Sequence, residues 1–337
     1  MYVLRLVLSI LLLTVILVSC DGSEEKNPED SFKKLNSLIS DLESQGREMA
    51  KGLDTLADFY EHILSQRDSI LRNQSPSPYR FDGAFSTNSP GEDSALSSII
   101  IFNSTLDRRR AETEVIWTNA LDSAFASFIK KYPMAVQVYS NSANQVSRVY
   151  PAYDAKNIVD ANIDVTKFNF YYKADSMHNP KKGLVWIPDP YVDPAGKGWI
   201  LSLVHPVYYG GELFGVLGID LTVSNIIQRF LDAVEGDLIL VNSKGDIVGG
   251  KADAIESLSM PPLKNHIYRE TVESDYFRVS DFNLFNSKSR EVRKMAQRFL
   301  VEKKKTFDFK EEANLNHATC APFNAVDWLL IEVSTNY

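Results

Sequence analysis

The chain has 337 residues, 44% of them hydrophobic and 24% charged, and its 36 Lys+Arg against 44 Asp+Glu give a formal net charge of −8. That apolar content excludes general disorder. The acidic balance argues against a dedicated nucleic-acid binder. Two cysteines, Cys20 and Cys320, are too few for a disulfide framework or a four-thiolate zinc site.

At the N-terminus a lone cation, Arg5, precedes an unbroken apolar run from Leu6 to Val18. As a helix that run reaches roughly 20 Å, short of a hydrocarbon core of about 30 Å, and it sits where the h-region of a signal peptide belongs. It ends Leu17-Val18-Ser19-Cys20, which resembles the lipobox of a bacterial lipoprotein. The resemblance implies removal of residues 1–19, acylation of Cys20 and an extracytoplasmic location for the rest. Each buried acyl methylene contributes about 0.8 kcal/mol to such an anchor. Cys320, in His317-Ala-Thr-Cys320, then reads as a buried structural thiol rather than half of a metal or nucleophile pair.

Residues 20–31 form a polar tether. From Phe32 to Leu71 apolar residues recur at three- and four-residue steps, predicting one long helix over 32–73. The near-3.5 period fits either a coiled-coil seam in a homodimer or a helix packed on its own domain, and Gly46 and Gly52 fall inside it. A Ser/Pro/Gly-rich loop leads to a strand at Ser97–Phe102 and a helix over 110–131. Ala135–Tyr139 and Val146–Tyr150 read as strands. Trp199–Tyr209 and Leu213–Leu221 pair as a hairpin across Gly210-Gly211, and a helix follows from about Val223 to Val234. A second unit starts at Asp237 with strand–turn–strand, carries helix near 290–303 and ends with strands at 305–309, 318–323 and 328–333. The order is that of an α+β fold with antiparallel sheets.

The most specific pattern lies in 168–227: Phe168-Asn-Phe-Tyr-Tyr, then Trp186-Ile-Pro-Asp-Pro-Tyr191-Val-Asp193, then Trp199-Ile-Leu-Ser202, Pro206-Val-Tyr, and Gly211-Glu-Leu-Phe-Gly-Val-Leu-Gly-Ile-Asp220. It resembles the double Cache sensor domain of bacterial chemoreceptors and sensor kinases. The resemblance implies a long membrane-rooted helix at 32–73 carrying two stacked PAS-like modules, a membrane-distal one at 74–235 that binds ligand and a membrane-proximal one at 236–337. In the amino-acid-binding branch an Arg, an aromatic pair, a loop Tyr and a hairpin Asp hold the ligand. Those positions fall here at Asn169, Tyr171-Tyr172, Tyr191 and Asp220, and the missing guanidinium puts an ordinary α-amino acid in doubt, because Asn cannot replace a bidentate Arg–carboxylate pair.

Taken alone, the residues leave alternatives open. Asp220 at the end of an apolar strand either lines a cavity or caps the next helix, for which Thr222 is the better cap. Strand alternation groups Phe214, Val216, Gly218 and Asp220 on one face. Tyr171, Tyr172, Trp186 and Tyr191 form either a cage for an ammonium group or plain core packing. Asp189 and Asp193 beside prolines read as turn residues. Dispersed histidines and the lack of any hydrolase or metalloprotease motif indicate no enzyme, no metal and no cofactor.

The expectation is therefore a lipid-anchored, extracytoplasmic sensor. It would bind a cationic or neutral small molecule, such as an amine or amino-acid derivative. With no second span and no output domain, it would act through a membrane protein partner. The competing expectations are a structural envelope lipoprotein with a collapsed pocket and a transporter-associated solute binder.

Overall fold

The computed structural model describes residues 28–73, 77–88, 93–193, 199–260, 282–310 and 315–335. The signal peptide, Cys20 and the tether expected from the sequence lie outside the described residues, apart from the last few of the tether.

Helix α1 runs over Pro28–Arg72, 45 residues, or roughly 67 Å. Leu35, Leu53 and Leu64 on its apolar stripe are fully buried, and the stripe packs on the chain's own two sheets. The first sheet has eight strands, all paired antiparallel. They are β1 (Phe81–Asp82), β2 (Phe85–Ser86), β3 (Ser98–Ile101), β4 (Gln137–Ser142), β5 (Val146–Tyr150), β6 (Val185–Val192), β7 (Trp199–Tyr209) and β8 (Glu212–Thr222). Their order across the sheet is β1-β2-β3-β5-β4-β8-β7-β6. The β7–β8 turn is Gly210-Gly211, with φ of +61° and +90°. Two positive φ values in a two-residue hairpin loop are what glycine supplies without strain.

The second sheet has the order β10-β9-β13-β12-β11, again antiparallel. Its strands are β9 (Asp237–Asn242), β10 (Ile247–Gly250), β11 (Thr306–Asp308), β12 (Leu315–Pro322) and β13 (Trp328–Thr335). One face meets α1. The other is covered by the helical turns at Ala252–Ser257 and Arg290–Val301. Leu201, Leu203, Leu217 and Ile219 of the first sheet and Leu238, Leu240 and Leu330 of the second join the helix stripe in one apolar core. Each fully buried leucine contributes about 1.5–3 kcal/mol.

Polar contacts fix the second sheet on the helix. Lys34 pairs with Glu332, which is buried, and Glu43 accepts hydrogen bonds from the backbone N–H of Asn324 (2.5 Å) and Ala325 (3.0 Å) and from Asn324 Nδ2 (3.1 Å). Gly52 lets the helix approach Tyr132: a Cβ there would sit 2.5 Å from the ring.

Two expectations change. The helix predicted over 110–131 is two helices, α2 (Arg108–Trp117) and α3 (Ala120–Lys131). The cause is Arg148 on β5, buried between them. Its Nη2 donates to Val115 O and Thr118 Oγ1, both at 3.0 Å, taking a carbonyl that a continuous helix would use itself. Nη1 meets Asp122 Oδ1 at 2.5 Å, and Tyr79 and Ser97 donate to the same carboxylate. In the β7–β8 hairpin a register shift between Val207 and Tyr208 turns Phe214 to the helix face, where it packs on Tyr60 and Trp117. Leu213 takes the opposite face with Val216.

Removing one member of a buried ion pair strands the other. Arg148→Met should therefore lower the unfolding free energy by about 3–5 kcal/mol, read from urea titration. The double variant with Asp122→Leu should recover much of that loss.

Candidate functional site

The face of the first sheet turned away from α1 is covered by residues 153–184, including the 3-10 turn Val165–Lys167 and the one-turn helix Asn169–Tyr172. Between this cover and strands β4, β5 and β8 lies a cavity of about 50 Å³, several times what one water centre needs. Its floor is polar. On β4, alternation points Val138 at the helix and Gln137, Tyr139 and Asn141 at the cavity. All three are nearly fully buried. Asp220 faces Gln137 across the β4–β8 register, at 1% exposure.

Gln137 Nε2 donates to Asp220 Oδ2 at 2.5 Å, and Ser202 Oγ donates to Oδ1. The Tyr191 hydroxyl is 2.6 Å from Ser202 Oγ, extending the chain to the edge strand β6. Two further polar atoms, Gln137 Oε1 and Asn141 Oδ1, are buried without a partner of hydrogen-bond geometry, while the Tyr139 hydroxyl faces those of Ser202 and Tyr191. Asp193 is also buried at the cavity wall. Burial, and then the Asp193 charge, push the Asp220 carboxyl up to about 8 against the hydrogen bonds of Gln137 and Ser202. Burial, and then the charge of Asp220, also raise the Tyr139 and Tyr191 phenols well above their ordinary value. Phe168 and Phe170 stack at 5.3 Å over the opening, Phe170 meeting Tyr139 edge-on at 5.7 Å. Among the described residues no Lys, Arg or His lines the cavity.

Gly218 makes this arrangement possible. A Cβ there would lie 2.2 Å from the Tyr139 ring, so its absence lets the phenol approach the β8 backbone two residues from Asp220.

The structure brings together two of the six residues singled out from the sequence, Tyr191 and Asp220. Trp186 is on the other face of the sheet, paired with Leu203 and packed toward Gly46 of α1. The segment read as a loop is strand β6, whose register with β7 is irregular between Ile187 and Tyr191, and Trp186 and Tyr191 lie on opposite faces of it. Tyr171 is buried in the covering layer but does not reach the cavity, Tyr172 meets His178 edge-on near solvent, and Asn169 accepts from its neighbour's N–H. Phe168 and Phe170 stand where the Tyr pair was expected. Thr222, not Asp220, caps the following helix, accepting from Asn225 N at 3.1 Å. Asp189 pairs with Lys244 at the surface, while Asp193, read as a turn residue, lines the cavity. Sequence reasoning missed Gln137, Tyr139, Asn141 and Ser202. The signal was present in Gln137-Val-Tyr-Ser-Asn141: polar groups at every second position of an otherwise buried strand.

Elsewhere the Cys320 thiol is buried, and burial pushes it up to about 12. Among the described residues no cluster of three or more His, Cys, Asp or Glu could hold a metal ion. No described helix is long and apolar enough to cross a membrane.

No protein-family model and no curated protein sequence matches the chain. Among solved structures it is similar to the sensory domain of the Campylobacter jejuni chemoreceptor Tlp3 (CcmL) with isoleucine bound. The TM-score is 0.52 at 13% identity, over 91% of this chain and 92% of that one. A second structure of that sensory domain gives 0.52 at 12% identity, over 92% and 94%. The fold is thus that of double Cache-type sensory domains, an α+β arrangement of two PAS-like modules on a long helix.

A carboxyl whose folded pKa lies above its unfolded value opposes folding once the unfolded chain ionises. Asp220 should make stability fall as pH rises from about 4 to about 8. Glu114, raised to about 7 by burial against the hydrogen bond of Asn144, acts in the same direction. Subtracting the urea-unfolding profile of Asp220→Asn from that of the wild type isolates the Asp220 share. A flat difference between pH 5 and 8 would contradict the assignment.

Proposed function

We propose that this protein is an extracytoplasmic sensor. On this reading the module of residues 74–235 binds a small ammonium-bearing molecule, the module of 236–337 lies nearer the membrane, and Cys20 carries the lipid anchor. The observation that supports the ligand class is the polar floor of the cavity: a buried carboxylate, two unsatisfied amide oxygens and, among the described residues, no cation. An ammonium donates three hydrogen bonds and offsets the charge that burial penalises. The Tlp3 sensory domain binds isoleucine. Here a ligand's own carboxylate would meet Asp220 rather than a guanidinium, and about 50 Å³ holds only a few heavy atoms, so a short amine fits better.

On this reading the occupied module acts through a membrane protein partner. Ligand charge favours ionised Asp220, so binding below pH about 8 releases a proton and affinity rises with pH.

Thermal-shift and calorimetric titration with short alkylamines, matched alcohols and matched carboxylates tests this. Amines alone should stabilise, by about 2.7 kcal/mol at a hundredfold excess over Kd. The effect should vanish in Asp220→Asn, and the amine affinity should climb between pH 6 and 8. An equal response to carboxylates would overturn the ligand class, and no response to any panel member would favour a structural role. For the anchor, Cys20→Ser should move the protein from the membrane fraction to the soluble one.

A further inference from the structure

A second cavity, of about 130 Å³, lies on the other side of the first sheet, where α1 meets both sheets. Its walls are apolar: Trp186, Leu201 and Leu221 from the first sheet, Leu240 and Trp328 from the second, Met49 from the helix. An apolar cavity of about 150 Å³ stays dry and accepts benzene, so this one has room for about six carbons. Its polar lining residues are Glu43, Gln45 and Arg47. The oxygens of Glu43 are occupied by Asn324 and Ala325, and these bonds with Arg47 hold its carboxylate below the usual range despite burial. Arg47 lies 3.7 Å from Glu43 with 61% of its side chain exposed, which leaves guanidinium donors facing outward.

Gly46 supplies an independent observation. Glycine weakens a helix interior relative to alanine, and packing does not demand it: a Cβ at Gly46 would meet only Trp186, at an ordinary 3.5 Å. At Gly52, by contrast, Tyr132 excludes a Cβ. A side chain larger than alanine at 46 would fill the empty space.

We propose that this junction cavity binds a small anionic amphiphile, with a hydrocarbon group of about six carbons inside and its head group on Arg47. The site is distinct from the Asp220 cavity and touches all three parts of the fold, so its occupant would bias how the second sheet sits on the helix.

Trp186 and Trp328 provide the readout. The full chain in nanodiscs, with empty nanodiscs as blank, is titrated with hexanoate, hexan-1-ol and hexylamine while tryptophan fluorescence is followed. Hexanoate should give a saturable change, hexan-1-ol the same change about tenfold more weakly, and hexylamine weaker still. Arg47→Ala should bring hexanoate to the level of the alcohol. Gly46→Leu should raise Tm, by filling the space and improving the helix, and abolish the response, whereas Gly46→Ala should raise Tm and keep it. Asp220→Asn should leave hexanoate binding intact, separating this site from the ammonium site. A non-saturable signal, or one unchanged in Gly46→Leu, would overturn the proposal, and equal binding of alcohol and carboxylate would overturn the role of Arg47.

Discussion

The burial of one apolar stripe organises this molecule. A 45-residue helix exposes more leucine and isoleucine than water tolerates, and the chain covers it with two sheets instead of one. That commitment uses one face of each sheet. The second sheet closes its remaining face with short helices and aliphatic side chains. The first closes its own with a loop-rich cover of Phe and Tyr, and such a cover over a pleated surface leaves space. The polar cavity therefore follows from how the helix is buried.

Within that space the strands place groups that stability alone would not select. A carboxyl held near neutrality by burial, with a glycine beside it to admit a phenol ring, costs the apo fold free energy. Arg148 and Asp122 are opposite in kind: an equally buried pair with most of its hydrogen-bonding capacity met, tying β5 to the α2–α3 junction. The contrast separates a polar network that holds the architecture together from one that still has bonds to make.

Much of the fold was legible because its signals are local. The three- and four-step apolar spacing from Phe32 to Leu71 and the Gly210-Gly211 turn need no tertiary knowledge. The break at Thr118-Asn119 was not legible, since its cause is an arginine thirty residues further along that competes for Val115 O. Phe214 changed face because a bulge interrupts the alternation on which the assignment rested. At the site, Asp220 and Tyr191 could be found from the pattern around them. Trp186 could not be placed while its segment was taken for a loop, and the irregular register between Ile187 and Tyr191 hides the faces even once it is known to be a strand. Phe168, in extended backbone just before the helical turn, stacks on Phe170 within it, and this pair takes the place toward the sheet that the two tyrosines were expected to hold.

The attachments at Lys34 and Glu43 have a mechanical meaning. They are nine residues apart, about 14 Å along the axis and half a revolution around it. Fastened at both, the second sheet can neither slide along the rod nor swivel about it without breaking a charged contact. Torque applied at one end of the rod would be carried by that sheet as by a key in a keyway, and the two would turn as one shaft.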